Sequence, residues 1–238
     1  VIASGIFLYF SPELRNRISA NINPSPVEKK SSKKLDANKN KNEKLEAATP
    51  IVKSAVRVEA MRYYLEVDPA NKGAGNKTSR TTGFTSLAAG SKFRFHFKAR
   101  ENGYLYLIAL GKDGIQSFLT AKPLAATGVT TNRMEGGKDF RFPDGGQWFE
   151  IQPDSDKTPF IVIFSPTQLT KPAFLSAPGR NLNEVEKLEL NQLRKNTAVI
   201  PPELVETGDK NTPDMVVQIS PDRPVNLPLV FELSLKKR

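Results

Sequence analysis

The chain has 238 residues, with 35 Lys plus Arg against 25 Asp plus Glu, a formal net charge of +10, and a 38% share of apolar residues. It contains no cysteine and a single histidine, which excludes disulfide frameworks, thiol nucleophiles, Cys-ligated metal centres and multi-His metal sites within one chain. The length suits one large or two small domains, and the low apolar share implies that part of the chain lies outside any core.

The chain opens on Val1-Ile2-Ala3-Ser4-Gly5-Ile6-Phe7-Leu8-Tyr9-Phe10, without an initiator methionine, and the apolar run stops at Ser11-Pro12. A membrane-spanning helix needs roughly 20 apolar residues, so residues 1–11 are expected to be the end of a truncated span. Tyr9 and Phe10 would then lie at the membrane interface. The alternative is a buried strand or short helix of the fold itself. Residues 12–54 follow as a linker with ten Lys/Arg and five Asp/Glu, a net of +5. Low hydrophobicity and dense like charge cannot offset the entropy of ordering, so this linker is expected to be disordered. Its basic character fits either a cytoplasmic location or contact with anionic head groups, and only Arg15 and Arg17 are close enough to the apolar run to weigh on topology.

From Ala55 the pattern becomes that of strands. Residues 56–67 mix β-branched and aromatic residues and end at Asp68-Pro69, and a Gly/Asn/Thr/Ser-rich loop extends to Gly83. Residues 91–100 alternate strictly: Phe93, Phe95 and Phe97 share one face, Arg94, His96, Lys98 and Arg100 the other. That period predicts a half-buried strand with one wet side. After Glu101-Asn102-Gly103, residues 104–110 are apolar on both faces, as a central strand would be. Gly111-Lys112-Asp113-Gly114 is a turn signal leading into residues 115–119. An irregular loop is expected over 120–138, then strands at 139–142 and 148–151, and a fully buried strand at 160–164. Short strands at this spacing predict an antiparallel β-sandwich or barrel.

One helix is expected over about 182–196, capped by Asn183 with Glu186 as its capping-box partner, and blocked beyond by Pro201-Pro202. Leu182, Val185, Leu188 and Leu193 keep helical spacing and mark its apolar stripe. Strands at 215–219 and 229–235 complete residues 55–238 as one mainly β domain with an inserted or appended helix.

Any catalytic histidine must be His96, yet it stands mid-strand among cations, where a solvated face residue is expected. No nucleophile elbow accompanies it, Gly73-Ala74-Gly75 and Gly136-Gly137 form no phosphate-binding motif, and Asp154-Ser155-Asp156 reads as a turn. No catalytic residue, cofactor or metal ligand is therefore assigned. The Arg94, His96, Lys98, Arg100 face is the candidate site for an anionic polymer; nucleic acid is not expected, because the aromatics point away from the cations.

Taken in order, Leu87-Ala88-Ala89-Gly90-Ser91-Lys92-Phe93-Arg94-Phe95, Glu101-Asn102-Gly103-Tyr104-Leu105-Tyr106-Leu107 and Gly111-Lys112-Asp113-Gly114 resemble a bacterial family catalogued as domain of unknown function 4384. Phe140-Arg141-Phe142-Pro143, Trp148-Phe149-Glu150-Ile151 and residues 158–165 continue the likeness, which covers about residues 83–165. The resemblance implies a β-rich, usually extracytoplasmic module, often appended to signalling kinases, peptidase-like domains or membrane anchors, and it carries over no catalytic residues. The physical reading of the motif is structural: Gly103 permits the turn, Tyr104 and Tyr106 fill a layer of the sandwich, and Gly114 takes a positive φ.

The expectation is thus a non-catalytic, membrane-tethered extracytoplasmic sensor or interaction module of a bacterial envelope or signalling protein. It would meet the membrane through its N-terminal apolar segment and a protein or an anionic envelope polymer through the domain. The alternatives are a carboxylate-dependent hydrolase and a binder of anionic polymers through the basic strand face.

Overall fold

A computed structural model of the chain describes residues 7–8, 56–69, 78–83, 86–111, 114–152, 157–198 and 200–237. The expected linker, the loop around residues 73–75 and the turn at 154–156 lie outside the described residues, as does the expected span except for Phe7 and Leu8. Those two residues form a short strand, β1 (Phe7–Leu8). Among the described residues no helix is long and apolar enough to cross a membrane.

Two sheets stack face to face. Sheet 1 contains β1, β2 (Val58–Asp68), β3 (Ser79–Thr81), β5 (Lys92–Ala99), β9 (Phe140–Phe142), β10 (Phe149–Glu150), β12 (Glu203–Thr207) and β13 (Asp214–Ile219). Its order is β1-β10-β5-β2-β13-β12, with β3 also on β2 and β9 also on β5. Sheet 2 contains β4 (Ser86–Leu87), β6 (Gly103–Gly111), β7 (Gly114–Leu119), β8 (Arg133–Met134), β11 (Lys157–Ser165) and β14 (Leu229–Lys237), in the order β4-β14-β11-β6-β7 with β8 on β6. Among the described strands all pairings are antiparallel except β14 with β4. The mainly β sandwich read from the sequence is the architecture found. The short strands β3, β8 and β12 were not legible, because each pairs only two to five residues of mixed composition; a 3₁₀ turn at Ala125–Thr127 also interrupts the expected loop.

The alternation of β5 does what its pattern requires. Phe93, Phe95 and Phe97 are fully buried between the sheets, where Phe95 meets Phe160 edge-on at 5.0 Å and Phe93 meets Phe149 at 5.4 Å. Each such ring contributes roughly 2–3 kcal/mol by leaving water. Gly103 serves packing more than turning: it begins β6, and a Cβ there would collide with the Phe164 ring and come within 2.7 Å of the Ser165 carbonyl oxygen.

Apolar runs on both faces of β6 and β11 have a second cause besides the sandwich. Leu105, Leu107, Phe160 and Val162 point into the inter-sheet core. Tyr106, Ile108, Ile161 and Ile163 point outward, into a second core closed by Phe174, Leu175, Leu182 and Leu190. Tyr106 thus fills the layer under the helix, where its hydroxyl accepts a bond from the Leu169 amide at 2.7 Å. The helix, α1 (Glu184–Thr197), has the expected capping box, with the Glu186 amide donating to Asn183 and the Asn183 amide to Glu186. Its apolar stripe is shifted from the expected one. Val185 and Leu188 are 65% and 69% exposed, and Leu190 is buried instead. Glu186 is buried at the contact because it serves the cap and pairs with Arg180, which rotates Val185 outward.

Candidate functional site

Helical segments cover the outer face of sheet 2, so the outer face of sheet 1 is where polar chemistry is displayed. Along β2, Met61, Tyr63, Leu65 and Val67 face the core, leaving Arg62, Tyr64 and Glu66 outside. Along β5 the outward residues are Arg94, His96 and Lys98. The register sets Glu66 opposite Arg94, Tyr64 opposite His96 and Arg62 opposite Lys98. Three cross-strand pairs of different chemistry therefore stand in a row.

The first pair is an ion pair. Arg94 Nε donates to Glu66 Oε2 at 2.6 Å, and the Arg94 guanidinium also lies over the Trp148 ring at 4.2 Å. Burial opposes ionisation of Glu66, but hydrogen bonds from Arg94 and His96 outweigh it and bring its pKa down to about 2.

The second pair is a stack. Tyr64 and His96 lie 4.4 Å apart and nearly parallel, and Arg80 from β3 covers the other face of Tyr64 at 3.5 Å. Arg80 is itself held by the Pro213 carbonyl at 2.9 Å and by the Asp214 carboxylate. His96 Nδ1 lies 2.8 Å from Asp139 Oδ2 and 3.0 Å from the Tyr64 hydroxyl, and Nε2 lies 3.1 Å from Glu66 Oε2. Both ring nitrogens thus face carboxylate oxygens.

The third pair is unlike the others. Arg62 and Lys98 carry the same charge, and Arg100 follows two residues further on. Glu59 receives two hydrogen bonds from Arg62, both 2.7 Å. It reaches this face because β2 is irregular there: Met61 pairs with Val217 while Glu59 pairs with Gln218, so Ala60 is bulged out of register and packs toward the core. The Arg62 hydrogen bond outweighs burial and holds the Glu59 carboxyl below its usual range. These residues, with Asp139 and Asp214, line an open trough of about 950 Å³.

The four residues read from the sequence as a solvated basic face separate into two kinds. Arg94 and His96 are consumed by acidic partners, and His96, expected to be solvated, is only 7% exposed. The neighbours of its ring are two carboxylates, because strand pairing brings Glu66 and the chain reversal before β9 brings Asp139. Lys98 and Arg100 are exposed, and among the described residues no ion pair engages either of them. Arg62, Tyr64 and Glu66 escaped notice although the alternation of residues 61–67 already placed them on one face. Arg80, Asp139 and Asp214 carried no signal, since each arrives from a loop end or short strand.

Among the described residues no cluster of three or more acidic or histidine side chains is arranged to hold a metal ion. No curated protein and no solved structure matches the chain. The strand β5 that carries His96, Lys98 and half of the trough floor falls within a recognisable segment, whereas β2, β3 and β13 come from outside it. That segment, residues 86–168 and thus β4 to β11, matches the family described as Domain of unknown function (DUF4384).

Proposed function

We propose that the chain is a non-catalytic, membrane-tethered extracytoplasmic sensor or interaction module, and that its ligand is met in the trough on the outer face of sheet 1. The observation that carries the trough as the binding surface is the asymmetry of the sandwich. Helix α1 and the 3₁₀ turn at Ala173–Ser176 bury one outer face in a second core, while the other is left open with an ordered polar array. A binding role fits that array better than acid–base chemistry. Both His96 nitrogens lie against carboxylate oxygens and the residue is only 7% exposed, which leaves little of the ring for a substrate to reach. The trough carboxylates are each engaged as well: Glu59 by Arg62, Asp214 by Arg80 and Asp139 by His96. A carboxylate hydrolase needs one carboxyl held protonated, and Glu59 is displaced in the opposite direction.

The absence of cysteine makes a direct test simple. Lys98→Cys in the full chain, labelled with a bulky maleimide, obstructs the trough; Val185→Cys with the same label loads the exposed side of α1. Retention of the chain on lipid-extracted bacterial envelopes, which hold no bilayer for the tether, is expected to be lost with the label at 98 and kept with the label at 185. Equal retention by both proteins rejects the trough as the binding surface. Fractionation of cells expressing the full-length gene, with protease added from outside, tests the tether: the domain should sediment with membranes and be digested.

A further inference from the structure

Opposite charges or stacked rings face each other at two of the three outward pairs of β2 and β5, but like charges face each other at the third. Directly opposed like charges destabilise a sheet. Here the repulsion is compounded, because Arg100 lies on the same side and all three cations act on one carboxylate, Glu59. Arg62 already occupies both Glu59 oxygens. Across the whole trough Arg62, Arg80, Lys98 and Arg100 face Glu59, Asp139 and Asp214, and the one surplus positive charge lies at the end where Lys98 and Arg100 have no ion-pair partner among the described residues.

From this arrangement we infer that Lys98 and Arg100, beside the Glu59-paired Arg62, form an oxyanion site whose ligand carries a phosphate group. The inference rests on the trough reading above and narrows it to a ligand chemistry. Phosphate at neutral pH is drawn to this end, its oxygens accept the unpaired fork of Arg100 and the point charge of Lys98 together, and the open trough leaves room for whatever bears it. Arg94 and His96 belong to the supporting end of the face, where Glu66 and Asp139 have cancelled their capacity for anions. The anion-binding part of the original four-residue face is thus its Lys98–Arg100 end, flanked by the Arg62–Glu59 pair of the neighbouring strand.

The test follows backbone amide shifts of residues 98–100 in the full chain during titration with inorganic phosphate, and separately with phosphatidylglycerol vesicles. Lys33→Glu/Lys34→Glu serves as a control for the basic linker. Phosphate is expected to shift these amides in the wild type and in the linker variant, with affinity reduced on the order of tenfold or more in Lys98→Glu/Arg100→Glu. A response to vesicles alone, abolished by the same variant, supports the site and names a lipid headgroup as the phosphate source. No response to either, or a response that survives the double variant, overturns the inference.

A second readout separates a ligand site from a structural cluster. Phosphate should raise the Tm of the wild type, and Lys98→Glu should remove that phosphate-dependent gain. A phosphate-dependent gain in Tm that persists in Lys98→Glu contradicts the inference. If phosphate leaves residues 98–100 unmoved while the label at position 98 still abolishes envelope retention, the phosphate assignment fails and the trough reading stands. If the label is also without effect, both fail.

Discussion

Glu66 joins side chains that lie far apart in the chain: its Oε2 accepts from Arg94, 28 residues away, and from His96, 30 residues away. Because its pKa in the fold is about 2, below the ordinary 4.5, its ionised form stabilises the protein fully above pH 4.5, and that contribution is lost as pH falls toward 2. The shift corresponds to on the order of 2–3 kcal/mol at neutral pH. Glu66→Gln should therefore lower stability at pH 7 by about that amount, and the gap between the two proteins should close between pH 4.5 and 2 in urea denaturation. A gap that stays constant over this range would show that the carboxylate charge is not what binds Arg94 and His96. At this scale the sequence displayed the outward residues of β5 but not their neutralisation, since no local pattern announces which acidic residue a strand will meet.

Among the elements, α1 shows how local and tertiary signals divide the work. Its start was legible because capping is local: Asn183 and Glu186 satisfy each other's amides within one turn. Its buried face was not, because the periodic stripe through Val185 and Leu188 competes with one through Leu182, Leu190 and Leu193. Only the second meets Tyr106, Ile108, Ile161 and Ile163 on sheet 2. Removing the cap with Asn183→Ala should cost about 1 kcal/mol. Val185→Ser and Leu188→Ser should be nearly neutral, as expected of exposed positions, whereas Leu190→Ala should cost about 2–5 kcal/mol. Chemical denaturation measures all four, and an equal loss at positions 188 and 190 would contradict the assigned face. The bulge at Ala60 is the sheet counterpart of this shift: it breaks the period of β2 and turns Glu59 toward Arg62, a step that strict alternation conceals.

Two cores share the same central strands in the molecule as a whole. Leu107 and Ile108 are neighbours in β6 and both fully buried, yet Leu107 belongs to the inter-sheet core and Ile108 to the core beneath α1. A strand that is common to both layers should make them unfold together. Leu107→Ala and Ile108→Ala are each expected to cost about 2–5 kcal/mol and to shift one and the same transition. Separate transitions by circular dichroism for the two variants would mean that the helical layer folds independently.

Charge has a similar division. Of the net +10, half resides in residues 12–54 and three charges in Lys236-Lys237-Arg238, so residues 55–235 are close to neutral, with 22 basic and 20 acidic residues. Composition and periodicity were enough for the excluded cysteine and multi-His chemistries, for the mainly β class, for the capped helix and for the inward phenylalanines of β5, because these depend on residue type and on repeats of two or 3.6 residues. Strand register, the bulge at Ala60 and the approach of Arg80 and Asp139 depend on which distant segments become neighbours, and periodicity carries no information about that. Those contacts turned a uniform basic stripe into a neutralised half at Arg94 and His96 and a charged half at Lys98 and Arg100, because only pairing across strands determines which cation meets a carboxylate and which meets another cation.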